Sequence, residues 1–225
     1  MSLTVWSWND YVSQITSRLN VGGRDRLING LEVLRRCEDM FRASSFADMT
    51  DEKRKAIAGT IGAVVMQNTF GSLNFHQFGR MSGNGAFSGL LNDSEAVGEL
   101  SEALDAIPLE GVVEKRNYIK FLSHLHKAHK NIKKGPGVAT ATRLLAMKRP
   151  DAFVCIDVAN RSLLARELNF SSTALDLTNY WQWVITPIQQ TAWFMAPEPS
   201  PENDESHKIW RGRVALLDIA FFAPD

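Results

Sequence analysis

The sequence predicts an all-α fold, on three observations. Apolar residues recur every three or four positions along several stretches, as one face of a helix requires. Gly, Pro and Asn cluster between those stretches, where turns interrupt the chain. No run alternates apolar with polar residues well enough to make a half-buried strand.

The elements follow in order. Leu27, Leu31, Leu34 and Phe41 predict an amphipathic helix over Arg24 to Ala43. Thr50 or Asp51 is placed to cap a second helix, running through KRKAIAGTIGAVVMQNT. Met81 to Asp93 holds three Gly and two Asn and is expected to be a loop. Ser94 starts a helix that stops near Pro108. Gly111 to about Lys134 reads as one long helix, with Val113, Ile119, Phe121, Leu122 and Leu125 as its apolar positions. A Gly135-Pro136-Gly137 turn leads into a helix over Val138 to Lys148, broken at Arg149-Pro150. Phe153 to Ile156 is a short apolar connector, and Asp157 is placed to cap a helix running to about Leu168. Helices over Ser171 to Phe194, kinked at Pro187, and over Glu205 to Phe222 complete the set, with a Pro-rich loop between them. No internal repeat or low-complexity tract appears.

With 225 residues, 44% of them hydrophobic and 22% charged, the chain is neither disordered nor fibrous. A chain of this size buries roughly 70–75% of the surface its unfolded form exposes. One domain over 1–225, in two lobes around a shared core, is the expected organisation. Lys plus Arg and Asp plus Glu are 25 each, so no bulk charge announces a partner. Cys37 and Cys155 have neither zinc-site spacing nor the number for an iron–sulfur cluster; two reduced thiols in a cytoplasmic protein are expected. The opening MSLTVWSWNDYV lacks the basic and apolar segments of a signal peptide. Ala56 to Gly79 is free of formal charge, but Gln67, Asn68, Asn74, His76 and Gln77 would be costly in lipid, so no membrane span is expected.

The informative segment is 133–161, KKGPGVATATRLLAMKRPDAFVCIDVANR. Gly135-Pro136-Gly137 between two helices reads as a hairpin that needs glycine's backbone freedom. Such a turn leaves amides unpaired at the positive end of the second helix, which suits a phosphate. Ala141 and Ala146 would let the two helices approach closely. The segment resembles the helix-hairpin-helix DNA glycosylase superfamily, the group of endonuclease III and 8-oxoguanine DNA glycosylase. In that family a G-x-G-x-x-x-A hairpin is followed, after one helix and an apolar connector, by an essential Asp at the next helix start. Gly135, Gly137, Ala141, the connector RPDAFVCI and Asp157 match that order. A second stretch, VVMQNTFGSLN from Val64 to Asn74, is similar to the family's helix-end motif, with Gln67, Thr69, Ser72 and Asn74 at similar positions.

The resemblance implies a DNA glycosylase that flips a damaged, mismatched or modified base from DNA and hydrolyses its N-glycosidic bond. Extruding a base costs a few kcal/mol, and a polar wedge offsets part of it; Gln67 and Asn68 are placed for that role. Lys134, Gly135, Gly137, Val138 and Ala139 are the implied contacts to the DNA backbone. Asp157 is the implied catalytic residue: positive charge develops on the sugar, and a fixed carboxylate stabilises it. It can also orient water, and as a helix cap it sits where the dipole favours negative charge. The family's strand-cutting members carry a Schiff-base Lys two positions after the second hairpin Gly; that position is Ala139, which implies a monofunctional enzyme without lyase activity. No cofactor or metal is implied.

Three further features complete the reading. From Lys115 to Lys134 there are seven Lys or Arg and no acid, a basic stripe leading into the hairpin. His124, His126 and His129 lie in the same stretch without a carboxylate to complete a metal set. The aromatic-rich final third is mostly core; by the resemblance its last helices wall a base pocket, with Trp210 and Arg211 as candidates, and Arg211 and Arg213 as phosphate contacts. The alternative functional class is a non-catalytic helix-hairpin-helix DNA-binding module. A third is a helical interaction protein. A monomer is expected, and base identity, strand preference and a repair or antiviral-defence role stay open.

Overall fold

The computed structural model describes residues 2–20, 25–81, 85–132, 135–202 and 204–222. Every regular element among them is helical: α1 (Trp8–Asn20), α2 (Asp25–Ala43), α3 (Asp51–Ala58), α4 (Ala63–Phe70), α5 (Gly85–Leu90), α6 (Ser94–Asp105), α7 (Lys115–Ala128), α8 (Val138–Lys148), α9 (Val158–Leu168), α10 (Thr186–Gln189), α11 (Asp204–Arg211) and α12 (Leu216–Ala220). Tight 3-10 turns occupy Leu3–Val5 and Phe75–Phe78, and a wider π turn occupies Trp181–Ile185. Among the described residues no helix is long and apolar enough to cross a membrane.

Helix α8 is the axis of the molecule. Thr140 to Lys148 are buried without interruption, the mark of a helix enclosed on all sides. It packs against α2, α3 and α6, while α6 pairs with α7 and α1 lies against α2 and α12. The buried apolar residues form one continuous cluster from Leu3 to Phe221. Cys37, on α2, and Cys155, in the connector after α8, are free thiols with no exposed surface. Burial pushes the Cys37 thiol up to about 12.

The helices over 25–43, 94–105, 138–148 and 158–168 lie where the sequence predicts them. Five expectations need correction. The helix expected from Thr50 onward is two, α3 and α4, because Gly59 turns left-handed (φ 74°) and its N–H caps the end of α3. The expected loop at 81–93 contains α5, with Phe87 and Leu90 buried. The helix expected from Gly111 starts only at Lys115: Glu114 and Asn117 form a reciprocal capping box there, and it ends at Ala128. Val113 is buried ahead of that helix, and Ile119 is exposed instead of facing the core. The helix expected over 171–194 is confined to 181–189; Pro187 has no N–H to give, and the preceding turn widens to its π form. Finally, the expected helix over 205–222 breaks between α11 and α12. There the N–H groups of Val214 and Ala215 donate to Pro150 O, at 3.1 and 2.8 Å, and leave the helical ladder.

Candidate functional site

The turn that leads into α8 is exposed at Gly135 and Gly137, while the helix itself enters the core from Thr140 on. Its N-cap, Gly137, supplies no side chain, so the leading amides of the helix are uncapped. Gly137 and Gly135 are exposed, and Val138 and Ala139 are half-buried. One expectation fails here: the turn does not need left-handed glycine. Gly137 has φ −76° and ψ 151°, and Gly135 is not among the positive-φ glycines. A Cβ built on Gly135 meets nothing within 4 Å, and one on Gly137 meets only Thr140 Oγ1 at 3.7 Å. Lys134 and Lys133 lie outside the described residues.

Asp157 caps α9 and is half-buried. Its Oδ1 accepts from the N–H groups of Ala159 (2.9 Å) and Asn160 (3.2 Å), and Asn160 Oδ1 accepts in return from Asp157 N–H at 3.0 Å. Oδ2 lies beside Gly79, where an added Cβ would come within 3.1 Å of it. Hydrogen bonds tie the connector that delivers Asp157 to its neighbours. Ile156 N–H donates to Thr142 Oγ1 at 2.9 Å, and the fully buried Tyr180 hydroxyl donates to Val154 O at 2.8 Å. Cys155 Sγ lies 3.8 Å from Ala139 O. The carboxylate and the uncapped start of α8 are therefore fixed to one another through main chain and buried side chains.

Behind Asp157 stands a buried polar relay. Asn160, with no exposed surface, donates Nδ2 to Cys155 O (2.8 Å) and to Asp218 Oδ1 (2.5 Å). Asp218 is buried on α12, and its Oδ2 has no hydrogen-bond partner. Burial, with the Asp157 charge nearby, pushes the Asp218 carboxyl well above the usual range.

Arg143 organises the other side. Its guanidinium is fully buried and meets five carbonyl oxygens: Ile57 from Nε (2.9 Å), Ala56 and Phe75 from Nη2 (3.0 and 2.9 Å), and Phe78 and Gly79 from Nη1, the latter at 2.8 Å. Those five match its five N–H donors. Two of the carbonyls close α3, where the helix dipole is negative. The same side chain fixes the Phe75–Phe78 turn and Gly79, and hence the wall beside Asp157 Oδ2.

Gln67 and Asn68 are exposed in the last turns of α4, next to exposed Val64 and Val65, while Met66 anchors the helix in the core. Asn74 caps the turn at Phe75–Phe78 by accepting from His76 N–H at 3.1 Å. Trp210 and Arg211 are not brought to Asp157. They line a cavity at the Lys148–Ala152 end of α8, whereas Asp157 is tied to its opening turns; eleven helical residues span roughly 16 Å. Arg211 pairs with Glu38, and Trp210 donates its indole N–H to Ala196 O at 3.0 Å.

Lys115, Arg116, Lys120 and Lys127 are exposed on α7, and Lys130 follows it. Arg116 pairs with Glu114 at 2.5 Å and Lys130 with Glu95, while Lys115, Lys120 and Lys127 form no ion pair among the described residues; Lys120 and Lys127, two turns apart, share one face. Two of the three histidines are engaged elsewhere, His124 with Glu99 at 2.8 Å and His129 buried with its Nδ1 on Leu125 O at 2.9 Å, and His126 is exposed.

The residues that sequence reasoning missed are Arg143, Asn160, Asp218 and Gly79. Their signals are visible in retrospect: a lone cation in VATATRLLAM, a lone acid in VALLDIAFF, and the D-x-x-N spacing of a reciprocal cap. No family model, curated protein or solved structure matches the chain.

Proposed function

We propose that this protein is a DNA glycosylase that hydrolyses the N-glycosidic bond of an altered base flipped out of DNA. The observation that carries the reading is Asp157: a half-buried acid set on a buried frame and tied through Ile156 and Thr142 to a helix start with uncapped amides. In this reading a phosphate next to the extruded nucleotide rests on the Val138 and Ala139 amides, below Gly135 and Gly137. Neither glycine is required by conformation or crowding in the free protein, which is consistent with room kept for a backbone. Asp157 stabilises positive charge on the sugar and orients the attacking water. Water adds to the anomeric carbon, and the base leaves with its electron pair and takes up a proton. Gln67 and Asn68 fill the stack from α4, and a cleft between two lobes, one carrying α4 and the other 135–157, admits the strand. With Ala139 at the Schiff-base position, the product is an abasic site and the enzyme acts as a monomer.

A second reading has its own observation. The bonds that Asp157 Oδ1 makes are those of an ordinary helix cap, as in a binding module without catalysis. One experiment separates the two. Duplexes and single strands bearing a panel of altered bases are incubated with the protein and then cleaved with alkali at abasic sites. Catalysis predicts base release from at least one substrate, lost by a factor of about 100 or more in Asp157→Asn, which still caps α9 and binds DNA. A panel without release in the native protein favours the binding module. Borohydride should trap no protein–DNA adduct.

A further inference from the structure

The cavity at the far end of α8 encloses about 430 Å³, within the range of small-molecule sites. Its walls are unusual in charge. Four acids line it, and each already has a partner. Glu38 takes Arg211 and, at 3.0 Å, Arg42; Glu110 takes Arg42 at 2.8 Å; Asp151 takes Arg149 at 2.8 Å; Glu198 takes His207 at 2.9 Å.

Two further lining cations are paired with none of those four acids, and both are more than nine-tenths buried. Lys148 is 4% exposed; it is ion-paired with Asp105 at 3.6 Å, outside the cavity lining, and its ammonium lies 4.5 Å from the Phe41 ring centre. Arg213 is 6% exposed and held over Trp210 and Phe194, at 4.0 and 4.8 Å. Its Nη1 donates to Trp210 O at 2.7 Å, while its Nε is buried without a partner. Burial lowers the proton affinity of both groups. A buried cation with unused donors is costly unless an anion reaches it. Leu109, Val113 and Phe194 add an apolar wall.

We propose that this cavity is a binding site for a small organic anion, a phosphate monoester or carboxylate with an apolar or planar body, whose anionic group is taken by Lys148 and Arg213. The site is separate from the Asp157 segment, and it stands whether or not the protein releases bases.

The test is calorimetric titration of the full chain with deoxyadenosine monophosphate, inorganic phosphate and benzoate, with uncharged deoxyadenosine as control. The phosphate and benzoate arms tell the two anion types apart. At least one anion should bind below about 1 mM, with deoxyadenosine at least about tenfold weaker than its monophosphate. Lys148→Met and Arg213→Met should each weaken that binding about tenfold or more, and Asp157→Asn should leave it unchanged. The Trp210 indole N–H resonance of the unsubstituted protein is the second readout, independent of whether either variant folds. A saturable shift is expected. No saturable shift with any anion up to about 10 mM, or equal binding by Lys148→Met, overturns the proposal.

Discussion

A Cβ added to Gly79 would stand 3.1 Å from Oδ2 of Asp157 and 3.0 Å from the Met81 methyl. Gly79 also has φ 84°, a backbone conformation that disfavours every residue with a side chain. Gly79→Ala is expected to cost about 1–2 kcal/mol in urea unfolding. If the protein releases bases as proposed, the displaced carboxylate should also depress that release more than the stability loss explains, measured where the variant is still fully folded.

Arg143 supplies all five of its donors to main-chain carbonyls from α3 and the Phe75–Gly79 segment. Arg143→Met removes all five of those bonds, Ala56 O alone of them keeping the Gly59 N–H that caps α3. An unfolding free energy lower by at least about 3 kcal/mol is expected. Arg143→Lys should rescue little, since a compact ammonium cannot replace a five-donor fork.

Asp218 gives a pH prediction of definite sign. Its carboxyl is raised in the folded state, so between the ordinary value of 3.8 and its folded value the native protein holds a proton that the unfolded chain releases. The stability linked to that proton is complete below 3.8 and declines as pH rises toward the folded value. Asp218→Asn keeps an acceptor for Asn160 Nδ2 and removes the titration. It should stabilise the protein at pH 7, with the gain shrinking as pH falls toward 4 in denaturant melts.

Lys120 and Lys127 are exposed on one face of α7, and Lys120→Gln with Lys127→Gln should leave stability within about 0.5 kcal/mol. If both contact phosphates, as the basic stripe leading into the hairpin suggests, the slope of log affinity against log salt becomes shallower by about 2 for duplex DNA. An unchanged slope removes α7 from the interface.

The frame of the candidate site was legible because its signals are local. Asp157 at the α9 N-cap and the bounds of α8 follow from short-range rules of capping and breaking, and the structure keeps both. Its supports were not legible, because each acts across the chain. Arg143 reaches carbonyls of α3 and the Phe75–Gly79 segment, Asn160 meets Asp218 on α12, and Gly59 owes its necessity to the Arg143 guanidinium, 2.5 Å from where a Cβ would sit. The break between α11 and α12 has the same origin, since a distant carbonyl, Pro150 O, draws Val214 and Ala215 out of the helix. Hydrophobic period alone continued those helices, and it missed α5 because a glycine-rich stretch can still bury Phe87.

The two sulfhydryls offer a way to watch the molecule breathe. A maleimide can reach Cys37 or Cys155 only when the surrounding helices part, so each labelling rate times one local excursion from the native state. Single-cysteine versions would time α2 and the segment leading to Asp157 separately. Slower labelling at Cys155 when an oligonucleotide is added would mean that the strand clamps that segment shut.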